Sequence, residues 1–211
     1  MLRGIFVAGT DTDAGKTIVS AALVDALGAL YWKPVQSGLD DLPGGDTAVV
    51  AHLTGHQPSD FPPPVYRFRA PLSPDQAAAA EGASLDPSRI ILPDRDRLLV
   101  VEAAGGLMVP LDPATLMIDL ARRLGLPIVL AARTGLGTIN HTLLSLEALR
   151  HRGMPVAGVI LSGPDHPSNA ETIRRLGGVP MLGRIPQLDP LTPAALAAAA
   201  TQLDLSPLEG L

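Results

Sequence analysis

The 211-residue sequence contains no cysteine. That excludes disulfides, zinc–thiolate centres and cysteine nucleophiles together. Aromatic residues make up only 3% of the chain, and lysine is nearly absent: of 16 basic residues only Lys16 and Lys33 are lysine, the others being arginine. Solvated positions evidently accept arginine, so a lysine that persists points to a site requiring a compact ammonium and not a planar fork. The basic residues do not cluster and the net charge is −5. Both argue against a nucleic-acid partner, which needs a basic face. No apolar run approaches the roughly 18 residues of a membrane helix. Asp11 interrupts the N-terminal apolar run before it could serve as a signal-peptide core. The expectation is a cytoplasmic protein with no membrane partner. The five histidines show no metal-ligand spacing.

What is present is a globular composition, 46% hydrophobic and 18% charged, within reach of one α/β domain spanning residues 1–211. Its clearest feature is Gly9-Thr10-Asp11-Thr12-Asp13-Ala14-Gly15-Lys16-Thr17, which follows the apolar run Ile5-Phe6-Val7-Ala8 and opens a segment with apolar residues at helical spacing. A strand, a turn and a helix in that order give Gly15-Lys16-Thr17 a definite chemistry. Backbone N–H groups at the helix start surround phosphate oxygens, the lysine reaches the terminal phosphates, and the threonine hydroxyl ligates Mg²⁺. A nucleoside triphosphate is the implied ligand. The usual loop has a glycine five positions before Gly15, where this chain has Thr10, with Gly9 one position earlier. The loop is therefore a variant P-loop.

Residues 18–27 read as a helix stopped by Gly28, and 29–32 as a strand ending at Lys33-Pro34-Val35-Gln36-Ser37-Gly38. Lys33 and Ser37 thus fall at a strand's carboxyl edge, where open α/β sheets bind ligands. Asp46 precedes a helix over 47–54 and is either its N-cap or a metal carboxylate. Alternation over 65–69 predicts a strand, and Ser73-Pro74 an N-cap opening a helix to Glu81. The run 98–101 is apolar throughout, as in a strand buried on both faces, and ends at Glu102, a carboxylate facing the Mg²⁺ shell. Further strands are predicted at 127–132, 156–161 and 181–185, with helices at 115–124, 140–152, 168–176 and 192–203. Strands alternating with helices imply a mostly parallel sheet of about seven strands covered on both faces.

With these motifs assembled, the chain resembles the dethiobiotin synthetases, the ATP-dependent carboxylases of biotin synthesis. The resemblance rests on the variant loop, on Lys33-Pro34-Val35-Gln36-Ser37-Gly38, Glu102-Ala103-Ala104-Gly105-Gly106, Leu136-Gly137-Thr138-Ile139-Asn140-His141 and Gly183-Arg184-Ile185-Pro186. It implies that 7,8-diaminopelargonic acid takes up CO₂, supplied by bicarbonate, as a carbamate, that ATP phosphorylates it, and that the second amine closes a ureido ring. Lys16, Lys33, Thr12 and Ser37 would carry catalysis, and Thr17, Asp46 and Glu102 would hold Mg²⁺. ATP would lie against Asp13, Ala14, Gly15, Lys16, Thr17, Ile18 and Gly105, with its base near Ser162, Gly163, Pro186, Gln187 and Leu188. The substrate would meet Thr12, Lys33, Ser37 and Gly105, and its carboxylate the helix start at Leu136, Gly137, Thr138, Ile139 and Asn140 of the second subunit of a homodimer.

The chain departs from that family's pattern at four places. The first helix runs almost directly into the second strand. Ala103 stands where glycine is usual, so that position must tolerate a Cβ. Asp75 replaces a frequent histidine, and Ser162-Gly163 replaces an Asn-Asp pair, which predicts a less stringent reading of the base. Two other readings share the fold: a small-molecule amide or carbamate ligase of the same superfamily, and a partitioning-type regulatory ATPase. The latter carries an extra lysine early in its loop, where this chain has Thr10-Asp11-Thr12.

Overall fold

Strands that are apolar on both faces need cover on both faces, and the chain meets that need with one sheet between two helical layers. The structure, a computed structural model, describes residues 4–209. Its strands are β1 (Gly4–Gly9), β2 (Leu30–Trp32), β3 (Val35–Gln36), β4 (Tyr66–Arg67), β5 (Leu99–Gly106), β6 (Ile128–Arg133), β7 (Val156–Ser162) and β8 (Met181–Ile185). Six of them form the main sheet in the order β2-β5-β1-β6-β7-β8, every neighbouring pair parallel.

The helices are α1 (Lys16–Leu27), α2 (Gly45–Thr54), α3 (Pro74–Ala80), α4 (Met117–Leu124), α5 (Thr138–His151), α6 (Pro167–Gly177), α7 (Pro193–Ala200) and α8 (Ser206–Glu209). Right-handed crossovers decide which face each one covers. The step from β1 to β2 runs one way along the sheet, while the steps β5–β6, β6–β7 and β7–β8 run the other way. Their helices therefore lie on opposite faces. Packing agrees, since α1 meets α2 and α7, and α5 meets α6. Sandwiched between the sheet and two helices, α1 buries Val19, Ala21, Ala22, Leu23 and Val24 and is apolar nearly all round.

The sheet of about seven strands resolves into six plus a separate pair. After Trp32 the chain leaves the main sheet at Pro34, and β3 pairs in parallel with β4. The alternating segment 65–69 joins this ribbon and not the main sheet. The Pro34 carbonyl anchors it, accepting from the Val65 and Tyr66 N–H groups at 2.8 and 3.1 Å. Among the described residues no helix is long and apolar enough to cross a membrane.

The positions of β1 and β5 create the site. These adjacent strands leave the sheet on opposite faces, β1 into α1 and β5 toward α4, which opens a crevice at their carboxyl ends. Strand β5 runs through Glu102 to Gly106, with an irregularity where it passes Gly9. Ala103, with its Cβ, is buried there and has an ordinary backbone, since among the described residues no non-glycine residue has positive φ.

Candidate active site

Helix α1 follows its N-cap Gly15, whose φ of +82° favours glycine, and among the described residues no side chain caps its first N–H groups. A Cβ at Gly15 would also collide with the Ser162 side chain. Free donors at a helix start suit an anion. Lys16, buried at their edge, donates to the Asp11 and Thr12 carbonyl oxygens at 2.9 and 2.8 Å. Burial lowers its pKa to about 8, against an opposing pull from Glu102.

One residue on, Thr17 Oγ1 donates to Asp46 Oδ1 at 2.9 Å and to Glu102 Oε1 at 3.1 Å. The Lys33 ammonium bridges the same carboxylates, 2.5 Å from Asp46 Oδ2 and 2.9 Å from Glu102 Oε1. Burial opposes the Lys33 charge, but Glu102 and Asp46 outweigh it and raise the pKa above its ordinary value. Asp46 responds in the opposite sense: burial pushes it up, and Lys33 and Thr17 hold it lower than usual. Glu102 has no exposed surface.

The two readings of Asp46 are now decided in part. Gly44 is the N-cap of α2, so Asp46 lies in its first turn and its carboxylate turns into the site. Gln36 fixes that turn by accepting the Asp46 N–H at 3.0 Å. Ser73 does stand at the cap of α3, but its hydroxyl donates to Asp75 at 2.5 Å and accepts no N–H of the helix.

A cavity of about 390 Å³ gathers Thr12, Asp13, Lys16, Thr17, Lys33, Ser37, Asp46, Glu102 and Gly105 from separate segments. Its remaining wall is Gln36, Gly38, Pro71, Leu72, Ser73, Pro74, Ala104 and Val109, none of which the sequence pattern singled out as a ligand contact. The Ser37 hydroxyl is buried there without a partner. A second cavity of about 260 Å³ is lined by Ile18, Ser162, Gly163, Pro186, Gln187, Leu188 and Leu191. Ser162 of this second cavity lies against Gly15 of the loop. Residues 136–140 line neither cavity. They form the start of α5, with Gly137 as N-cap and Leu136 fully exposed.

A metal must fit the donors actually present. Among the described residues no three His, Cys, Asp or Glu side chains gather to hold an ion. Thr17, Asp46 and Glu102 nevertheless offer hard oxygens of the kind Mg²⁺ takes, leaving room for phosphate and water ligands. Their cradle already accommodates a cation, the Lys33 ammonium. The set fits.

Sequence reasoning missed Tyr31, which it read only as part of a strand. Its hydroxyl donates to Glu102 Oε2 at 2.9 Å. The period of two placing Tyr31 and Lys33 on one face of the strand was the available signal.

Comparisons with known proteins accord with this geometry. The family described as an AAA domain matches residues 3–195. The ATP-dependent dethiobiotin synthetase BioD of Afipia carboxidovorans is 50% identical over 208 residues, 98% of either chain. That of Agrobacterium fabrum is 48% identical, over 93% of this chain and 92% of its own. The biotin biosynthesis bifunctional protein BioCD of Bordetella avium is 53% identical over 95% of this chain, which spans 43% of that longer protein. Among solved structures, the septum site-determining protein MinD of Pyrococcus horikoshii, complexed with Mg-ADP, superposes with a TM-score of 0.58 at 16% identity, covering 100% of this chain and 98% of its own. That likeness is one of fold alone.

Proposed function

This chain belongs to the dethiobiotin synthetase family, and we propose that it carries out the ATP-dependent carboxylation and ring closure of 7,8-diaminopelargonic acid to dethiobiotin. One amine of the substrate attacks CO₂, forming an N–C bond and losing a proton. A carbamate oxygen then attacks the γ-phosphorus of ATP, releasing ADP. Finally the second amine attacks the carbamoyl carbon of the mixed anhydride and loses a proton as phosphate leaves, and the ureido ring is closed.

The observation that carries this reading is the convergence of Lys16, Thr17, Lys33, Asp46 and Glu102 on one cavity, in a chain about half identical to named dethiobiotin synthetases along its length. Mg²⁺, held by Thr17, Asp46 and Glu102, would supply charge neutralisation at the transferring phosphoryl oxygens. Lys16 and the free N–H groups of α1 bind the phosphates and meet the charge that develops on them. Lys33 keeps its proton because its carboxylate neighbours raise its pKa. It therefore acts as a fixed positive charge that holds and orients the carbamate, and not as a base. Thr12 and the unpartnered Ser37 hydroxyl complete the carbamate's hydrogen bonds.

The base of ATP occupies the second cavity, against Ser162 and Gly163 among its lining residues. The substrate carboxylate is received at the N-terminus of α5, whose free N–H groups suit an anion. As the family resemblance implies, that contact is taken to come from the second subunit of a homodimer, a reading with which the position of residues 136–140 outside both cavities of their own chain accords. ATP and bicarbonate are cytoplasmic metabolites, and the enzyme is placed there with them. The test is incubation with 7,8-diaminopelargonic acid, bicarbonate, Mg²⁺ and ATP, followed by mass spectrometry. Dethiobiotin is the expected product, and its absence with folded protein would overturn the assignment.

A further inference from the structure

We infer that Tyr31 is a positioning residue for the cation site: its hydroxyl fixes the rotation of the Glu102 carboxylate and so sets the strength with which that site takes a divalent cation. The inference rests on the reading of Thr17, Asp46 and Glu102 as the cation-binding set, and it assigns a task to a residue outside that set.

Strand register carries the argument. Tyr31 pairs with Val100 and Trp32 with Val101, so Tyr31, Lys33, Val100 and Glu102 share one face of the sheet. Glu102 lies beyond Val100 on that face, and both Tyr31 and Lys33 reach it from the neighbouring β2 segment. Its two oxygens are treated differently. Oε1 accepts from Thr17 at 3.1 Å and from Lys33 at 2.9 Å. Among the described residues, Oε2 accepts from Tyr31 alone, at 2.9 Å. Tyr31 has no exposed surface, and its ring meets Phe61 edge-on with centroids 5.8 Å apart. Packing thus determines where the hydroxyl points. A carboxylate is free to turn about its last bond unless both oxygens are held. With Oε2 pinned to the core by Tyr31, Oε1 is the oxygen presented to Thr17 and to any cation beside it.

Replacing the hydroxyl by hydrogen leaves Oε2 as a buried acceptor with no donor. The carboxylate then turns to satisfy it, and Oε1 loses its aim. Outer partners of metal ligands set affinity in this way, and their loss typically weakens metal binding by about 10–100-fold.

The experiment is calorimetric titration of wild-type and Tyr31→Phe protein with ADP, with and without Mg²⁺. Expected is an ADP affinity without metal that changes by less than about twofold, together with an apparent Mg²⁺ affinity weakened about tenfold or more. Equal Mg²⁺ affinities in two folded proteins would overturn the inference, since a tyrosine that merely fills the core would not move that quantity. Tyr66→Phe is the control, because that hydroxyl bonds Asp86 instead. The chain has only two tyrosines, which provides a second readout should Tyr31→Phe fail to fold. In a Tyr66→Phe background, biosynthetic fluorotyrosine labels position 31 alone. Its ¹⁹F resonance is expected to shift when Mg²⁺ is added to the ADP complex, and an unmoved resonance would refute the coupling. None of these readouts requires dethiobiotin formation, so they stand apart from the test of the overall reaction.

Discussion

Lys33 Nζ lies 2.5 Å from Asp46 Oδ2 and shares its charge with a second, fully buried carboxylate, Glu102. An arginine in that place keeps the charge but spreads it over a planar fork, which cannot occupy a point between two carboxylates. Lys33→Arg is expected to lose about a hundredfold in turnover, roughly 3 kcal/mol of transition-state stabilisation, with ADP affinity little changed. Lys33→Met leaves the carboxylates without their counter-charge and is expected to lower stability by about 3 kcal/mol. Steady-state rates check the first outcome and urea unfolding the second. Near-normal turnover in the arginine variant removes Lys33 from the mechanism.

The pKa of Lys16, lowered to about 8 by burial, has a pH signature. The folded chain holds this proton less tightly than the unfolded chain, whose value is the ordinary 10.5. Between those two values the unfolded state binds more protons, so this group makes stability rise with pH across that window. Bound phosphate favours the charged lysine, and nucleotide binding at about pH 8.5 should therefore take up a proton. Calorimetry with ADP in two buffers of different ionisation heat measures it. Uptake is expected in the wild type and not in Lys16→Met, and equal heats in the wild type would contradict the assignment.

At the base site a serine stands where an Asn side chain would offer paired hydrogen bonds. Ser162 is also close to the loop, since a Cβ on Gly15 would strike it. The other walls are Ile18, Pro186, Leu188 and Leu191, with Gln187 and Gly163 the remaining contacts. Such a cavity holds a base by shape more than by its edge. CTP and GTP are expected to support turnover within about tenfold of ATP, a gap of roughly 1.4 kcal/mol. A lead for ATP of more than about a hundredfold in kcat/KM, roughly 2.7 kcal/mol, would show that the base edge is read after all.

The proposed dimer makes a separate prediction. Leu144 and Met108 line one surface hollow, and both are largely exposed in the single chain. Sedimentation is expected to show a dimer at micromolar concentration. Leu144→Arg, a change at an exposed position, should yield folded monomer with dethiobiotin formation reduced. A fully active monomer would rule out a site shared between subunits.

Much of this molecule is written locally. Apolar runs specified the six strands of the main sheet, helical spacing specified the helices between them, and the variant P-loop with its lysine pointed to a phosphate site, because each depends on residues adjacent in the chain. The scarcity of lysine marked Lys16 and Lys33, and both prove to be buried in the site. What the pattern could not supply was pairing over distance. Residues 65–69 alternate like any strand, yet they join β3 in a ribbon apart from the main sheet, because the turn at Pro34 carries that neighbour away. Asp46 reads equally well as a cap or a ligand in the sequence; the fold removes the first reading, since Gly44 caps α2, and shows the carboxylate meeting Thr17 and Lys33. Tyr31 looked like an ordinary strand residue. Only the register of β2 against β5, set by the order of strands in the folded sheet, brings its hydroxyl to an acid 71 positions away. Periodicity fixes which face a side chain takes. The partner it meets there is decided by the topology, since burial rewards any apolar neighbour but a buried hydrogen bond needs one donor at one place.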